Sequence, residues 1–87
     1  MNFKKTAALL KAIANIKRLE ILVYLSHDEL SVGDLEKKLD LSQSALSQHL
    51  AVLRAAQIVQ TRRSKQKIFY RLENTLIKKV LKLLAKD

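Results

Sequence analysis

Apolar residues recur along this chain first at helical spacing, then at alternate positions, then at helical spacing again. Phe3, Ala7, Leu10 and Ala14, with Leu9 and Ile13 alongside, define one face of a helix over Phe3 to Ala14, and Lys4, Lys5 and Lys11 lie opposite. Asn15 is placed to cap a second helix from Ile16 to about Ser26. There Leu19, Leu22, Val23 and Ser26 repeat, and Ile21, Tyr24 and Leu25 widen the face as expected of a central buried helix. His27-Asp28-Glu29 reads as a polar loop. Ser31 to Leu39 predicts a short helix with Ser31 as N-cap, Asp34 completing a capping box, and Leu30 stapled to Leu35. Gly33 within it costs about 1 kcal/mol of helix propensity, which close packing against another helix would offset.

Asp40 and Leu41 leave only a short turn before Ser42, the N-cap of a fourth helix in which Leu46, Leu50 and Leu53 share one face. Leu41 can staple to Leu46 and so fix the angle of entry. Two helices joined this closely have the spacing of a helix-turn-helix. After Arg54 the period shortens. Ile58 to Arg63 and Lys67 to Leu72 are rich in β-branched and aromatic residues and predict a hairpin around Ser64-Lys65-Gln66. Ile68, Tyr70 and Leu72 are expected to face the core, with Lys67, Phe69 and Arg71 on the other side. The connection has no Gly or Asn, which predicts a loose loop rather than a tight primed turn. Thr75 to Lys86 returns to helical spacing, with Leu76, Ile77, Val80, Leu81, Leu83 and Leu84 giving a wider apolar face than a surface helix needs. The fold class is therefore mainly α with a small β-hairpin, a winged helix-turn-helix with the two strands between the fourth and fifth helices.

Residues 1–87 read as a single domain, near the size where one core is only marginally sufficient. A second copy packed on the first and last helices, through Phe3, Leu10, Leu76, Val80, Leu83 and Leu84, would enlarge that core; an intramolecular role for both helices is the plainer alternative. The longest apolar run, Ile21 to Leu25, is far too short for a membrane span, and no signal-peptide pattern opens the chain, so a cytoplasmic protein is expected. There is no cysteine, which removes disulfides, thiolate ligands and thiol switches. One His beside two acids at 27–29 is a poor transition-metal site, and a solvated turn explains it better. With only two His and no Gly-rich phosphate loop, the chain offers no nucleophile–base pair, metal cage or cofactor site, so an enzyme is not expected.

The formal charge of +9 points to a polyanion, of which nucleic acid is the commonest, although solubility alone could account for it. Its distribution favours the polyanion. From Leu41 through Leu72 there is no Asp or Glu while Arg54, Arg62, Arg63, Lys65, Lys67 and Arg71 accumulate, and Asp28, Glu29, Asp34, Glu36 and Asp40 crowd the stretch before it. A surface helix that needed only solubility would carry Glu–Lys pairs. The fourth helix instead exposes Gln43, Ser44, Ser47, Gln48 and His49, uncharged groups rich in donors and acceptors. These are the candidate base-reading residues of a helix (42–55) lying in the major groove of double-stranded DNA, with Gln43 and Gln48 able to pair bidentately with adenine. His49 could equally be a packing residue. Ser42, Lys17, Arg18, Arg54, Arg62, Arg63, Lys65 and Lys67 are the candidate phosphate contacts, the last four on a wing over 58–72. Lys17 and Arg18 sit at a helix N-terminus, where the dipole disfavours cations, and a phosphate or plain solvation could explain them. The rival reading is a protein-interaction module, antitoxin-like or regulatory, that uses the same helical face.

Several of these runs resemble the arsenic-repressor (ArsR/SmtB) family. They are Leu9-Leu10-Lys11-Ala12-Ile13-Ala14-Asn15 with Lys17-Arg18-Leu19, Leu30-Ser31-Val32-Gly33-Asp34-Leu35, and Leu41 through Leu50 with Leu53-Arg54. Ile68-Phe69-Tyr70-Arg71-Leu72 on the second wing strand matches as well. Within the family the likeness is to the metal-free branch that includes haemolysin-activator and biofilm-regulator proteins. The resemblance implies a homodimer with first and last helices at the interface, binding an imperfect palindrome, usually as a repressor released by a signal. The departures concern that signal. Ser31 and Gly33 stand where metal-sensing members carry cysteines, Glu36 stands where the thiol-sensing branch has one, and the last helix contains no His. The inducer is therefore unassigned, and constitutive binding stays open.

Overall fold

In the computed structural model, which describes residues 1–85, every helix begins at a side chain that accepts from its first turn. Asn2 caps α1 (Phe3–Ile13), Asn15 caps α2 (Ile16–His27), Ser31 caps α3 (Val32–Lys38), Ser42 caps α4 (Gln43–Ala55) and Asn74 caps α5 (Thr75–Leu84). Each cap satisfies one otherwise orphaned backbone donor and contributes about 1 kcal/mol. In α3 the capping box is complete: Ser31 Oγ accepts from Asp34 N–H at 3.1 Å, and Ser31 N–H donates to Asp34 Oδ2 at 3.0 Å. The predicted Lys86 end of the last helix falls outside the described residues.

The three-stranded sheet departs from the expected hairpin. Leu30–Ser31 forms a short strand, β1, that pairs antiparallel with β3 (Lys67–Leu72), which in turn pairs with β2 (Val59–Ser64), giving the order β1-β3-β2. Leu30 lies opposite Tyr70 and Ser31 opposite Phe69. Two residues are too few to announce a strand by alternation, and both also carry the N-capping signal of α3. The hairpin tip differs as well. Ser64 pairs directly with Lys67, leaving a two-residue turn in which Lys65 takes φ 58°. The turn is thus tight and primed without Gly, and Lys65 bears the strain of a left-handed backbone.

The core is a single cluster in which Ile21, Leu22, Leu35, Leu46, Leu50, Leu53, Ile58 and Ile77 are essentially sealed from solvent. Each stabilises the fold by about 1.5–3 kcal/mol through burial. Three expectations about packing need correction. Ile68 is 41% exposed, on the rim of the groove beside the start of α3, so only Tyr70 and Leu72 of β3 are buried. Val23 and Tyr24 lie on the outer side of α2, whose buried residues are Ile21, Leu22 and Leu25. Gly33 does not pack against another helix: it is exposed, and a Cβ there would meet only Ser31 Oγ at 3.8 Å.

Candidate nucleic-acid interface

The buried stripe Leu46, Leu50 and Leu53 turns the opposite side of α4 to solvent. Gln43, Ser44, Ser47 and Gln48 are all exposed there, and none makes a side-chain hydrogen bond among the described residues. Ser42 Oγ is occupied as the cap, accepting from Ala45 N–H at 3.1 Å, and no acid sits in the first turn of the helix. The positive end of its dipole is therefore open to an anion. Gln43 and Ser47 line one wall of an open groove of about 500 Å³, with Gly33 and Lys37 of α3 on the second wall and Gln66 and Lys67 of the wing on the third. The first turns of α3 and α4 and the wing tip thus border one surface.

The candidate cations divide into two groups. Arg63, Lys65 and Lys67 on the wing are exposed and make no ion pair among the described residues. The others are engaged. Arg62 Nε donates to Glu29 Oε1 at 2.6 Å while its guanidinium stacks 4.7 Å from the Phe69 ring centroid. Arg71 lies 4.0 Å from the same Glu29 carboxylate and donates to Glu73 at 3.0 Å. Arg54 Nη1 donates to the Tyr70 hydroxyl at 3.1 Å, tying the end of α4 to β3. Lys17 pairs with Glu20 at 3.5 Å.

Arg18 explains its own odd position. Of the last carbonyls of α1, Leu10 and Lys11 accept from Ala14 N–H and Ile13 accepts from Asn15 N–H. The remaining one, Ala12 C=O, accepts from Arg18 Nε at 2.6 Å. The charge that opposes the dipole of α2 thus closes the negative end of α1. Its Nη1 also lies 3.3 Å from Nδ1 of His49 on α4. Burial first, and the Arg18 charge second, hold the His49 imidazole below its ordinary pKa, which favours the neutral ring. The Arg18–His49 tie, like the Glu29 carboxylate between two wing strands, joins residues distant in sequence and leaves no periodic trace.

The model of the bacterial regulatory proteins of the arsR family matches residues 15–61, from the α2 cap through α4 into β2. The chain belongs to the arsR family. Among its arsR-family relatives is the transcriptional activator HlyU of Vibrio cholerae, 53% identical over 83 residues that cover 95% of this chain and 77% of HlyU. A biofilm growth-associated repressor of Agrobacterium fabrum is 53% identical over 68 residues, 78% of this chain but 58% of the repressor's length. The solved structure of V. cholerae HlyU superposes with a TM-score of 0.89, covering 95% of this chain and 90% of the other. The homodimeric winged helix-turn-helix DNA-binding domain of Mb0332 from Mycobacterium bovis, 26% identical, gives 0.86 over 94% of this chain and 76% of that one. The arsR-family chain thus has the winged helix-turn-helix fold that its sequence implies, and its relatives are transcription regulators rather than enzymes.

Proposed function

We propose that this chain is a homodimeric, sequence-specific regulator of transcription that binds an imperfect palindrome in double-stranded DNA, most simply as a repressor. The observation that carries the reading is the solvent face of α4: four amide and hydroxyl side chains with no partner among the described residues, bordered by wing cations. Such groups lose their water at no net cost only where another surface offers matching donors and acceptors, as base edges in the major groove do. Gln43 and Gln48, with Ser44 and Ser47, read the bases. Arg63, Lys65 and Lys67 hold phosphates or enter the minor groove and supply affinity more than specificity. Arg62, Arg54 and Arg18 act chiefly by holding α4 and the wing in place, since they already have partners or acceptors there, while Lys17 is paired with Glu20 along α2. Ser42 orders the N-terminus of α4 for a phosphate.

Residues 1–87 act as one domain whose terminal helices carry the dimer contact. Phe3, Leu10, Leu76, Leu83 and Leu84 are more than half exposed and Val80 is only partly buried, an apolar surface on both terminal helices that a second copy would cover. The homodimeric state of the Mb0332 domain agrees with this. A two-fold pair would set its α4 helices about 34–36 Å apart, one turn of B-DNA. No helix among the described residues is long and apolar enough to cross a membrane, which suits action in the cytoplasm.

Selection of bound fragments from random duplex DNA tests the reading, alongside sedimentation of the free protein. Enrichment of a two-fold symmetric site by a dimer is expected. A monomer that retains no duplex at low ionic strength would overturn it, and binding without a symmetric motif would replace it with a non-specific binder.

A further inference from the structure

We infer that Arg18 is a positioning residue for DNA reading, one that holds His49 with its proton on Nε2 so that the flank of the recognition helix presents a donor. This rests on the DNA-binding reading. A guanidinium carries donors only, so the Nδ1 that faces Arg18 at 3.3 Å is the nitrogen with the lone pair. The proton then sits on Nε2. That atom has no partner among the described residues, and no buried side-chain nitrogen or oxygen lacks one, so Nε2–H reaches solvent. His49 follows Gln48 directly and lies on the α2-facing edge of α4, where a phosphate or base acceptor can meet it.

The guanidinium is itself fixed. Its Nε is held at 2.6 Å by the Ala12 carbonyl, which has no backbone donor of its own. The end of α1, the first turn of α2 and the middle of α4 are thereby joined through one side chain. A mobile imidazole would show either nitrogen to DNA and would accept as readily as donate. The fixed one offers a single N–H, and a neutral ring keeps it from repelling Arg18.

The test combines a spectroscopic and a binding measurement. Nitrogen-15 NMR of the imidazole in the free protein should show a neutral ring at neutral pH with the proton on Nε2, and Arg18→Met should relax it to a mixture of tautomers. His49→Asn keeps an acceptor facing Arg18 and draws the outer N–H donors back from the position of Nε2. It should fold with unchanged stability yet bind the selected duplex about tenfold more weakly, the worth of one hydrogen bond. Arg18→Met should weaken binding by a similar factor, and the double variant should lose little more than either alone. A proton on Nδ1, an unchanged tautomer in Arg18→Met, or full affinity in His49→Asn each overturns the inference. If wild type shows the Nε2–H ring but binds no duplex, the DNA-binding reading fails and the role assigned here fails with it.

Discussion

Glu29 Oε1 accepts from Arg62 Nε at 2.6 Å, across 33 residues of sequence, and so a carboxylate from the loop before β1 sits among the wing cations. Both side chains are partly exposed, so the pair contributes only about 0.2–1 kcal/mol to stability. Its larger effect is on charge. Glu29→Gln should release Arg62, with Arg71 still held by Glu73, strengthen binding to any duplex, and steepen the salt dependence by about one unit. Titration with unrelated duplexes at several salt concentrations checks this; an unchanged slope would show that Arg62 stays unavailable to phosphate.

Gln48 and Lys65 should fail differently. Gln48→Ala is expected to cost about 1–3 kcal/mol at the preferred site and to flatten discrimination among its variants. Lys65→Ala should weaken all duplexes alike and lower the salt slope by about one unit. Competition binding against a panel of altered sites separates them, and identical profiles would contradict the division between base and phosphate contacts.

Two substitutions should stabilise the protein without touching its core. After α4, Gln57 has φ 59°, its N–H donates to Arg54 C=O at 3.0 Å, and Ile58 N–H donates to Leu53 C=O at 3.0 Å. That is a left-handed helix stop with Gln in the place of the usual Gly. Gln57→Gly should therefore gain about 1 kcal/mol. Gly33→Ala, with nothing nearer its Cβ than Ser31 Oγ at 3.8 Å, should gain about 0.5–1 kcal/mol. Denaturant unfolding measures both; a loss at Gly33 would reveal a constraint absent from its surroundings.

Stability should fall with acidification in two stages. The folded protein holds His49 below its ordinary 6.5, so the unfolded chain takes up that proton first. The contribution is complete above about 6.5 and is lost as pH falls from there through the lower folded value. Asp34 is held below 3.8, by the Ser31 backbone N–H first and the Ser31 hydroxyl next, so its contribution is present above 3.8 and disappears as pH falls through its folded value. Thermal unfolding across this range should show both declines, and His49→Asn should erase the upper one alone.

Elements whose signals are local were legible in the sequence. The caps at Asn15, Ser31 and Ser42, the capping box with Asp34 and the Leu46-Leu50-Leu53 stripe all act within a few residues of themselves. The short strand Leu30–Ser31 was not legible, because its partner lies some forty residues on in β3 and two residues carry no alternation. The turn at Lys65 departs from its local signal because its backbone sign is imposed by strand register, Ser64 on Lys67, against the preference of the residue itself. Ile68 alternates correctly but borders the open groove beside α3, so its side chain stays 41% exposed. Of the candidate cations, only Lys17 has its partner, Glu20, at a helical spacing visible in sequence; Glu29 and Arg62, or Ala12 and Arg18, meet only after folding.

Ser31 belongs at once to the cap of α3 and to the strand that flanks β3. The hairpin is consequently no hinged flap. The middle of β3 is tied through Ser31 to the start of α3, the helix that leads into α4, and the two together form a caliper of set span. Duplexes whose adjacent grooves are too wide or too narrow for that span have to deform to be gripped, so pliant steps flanking the half-site would be favoured even where no side chain touches them.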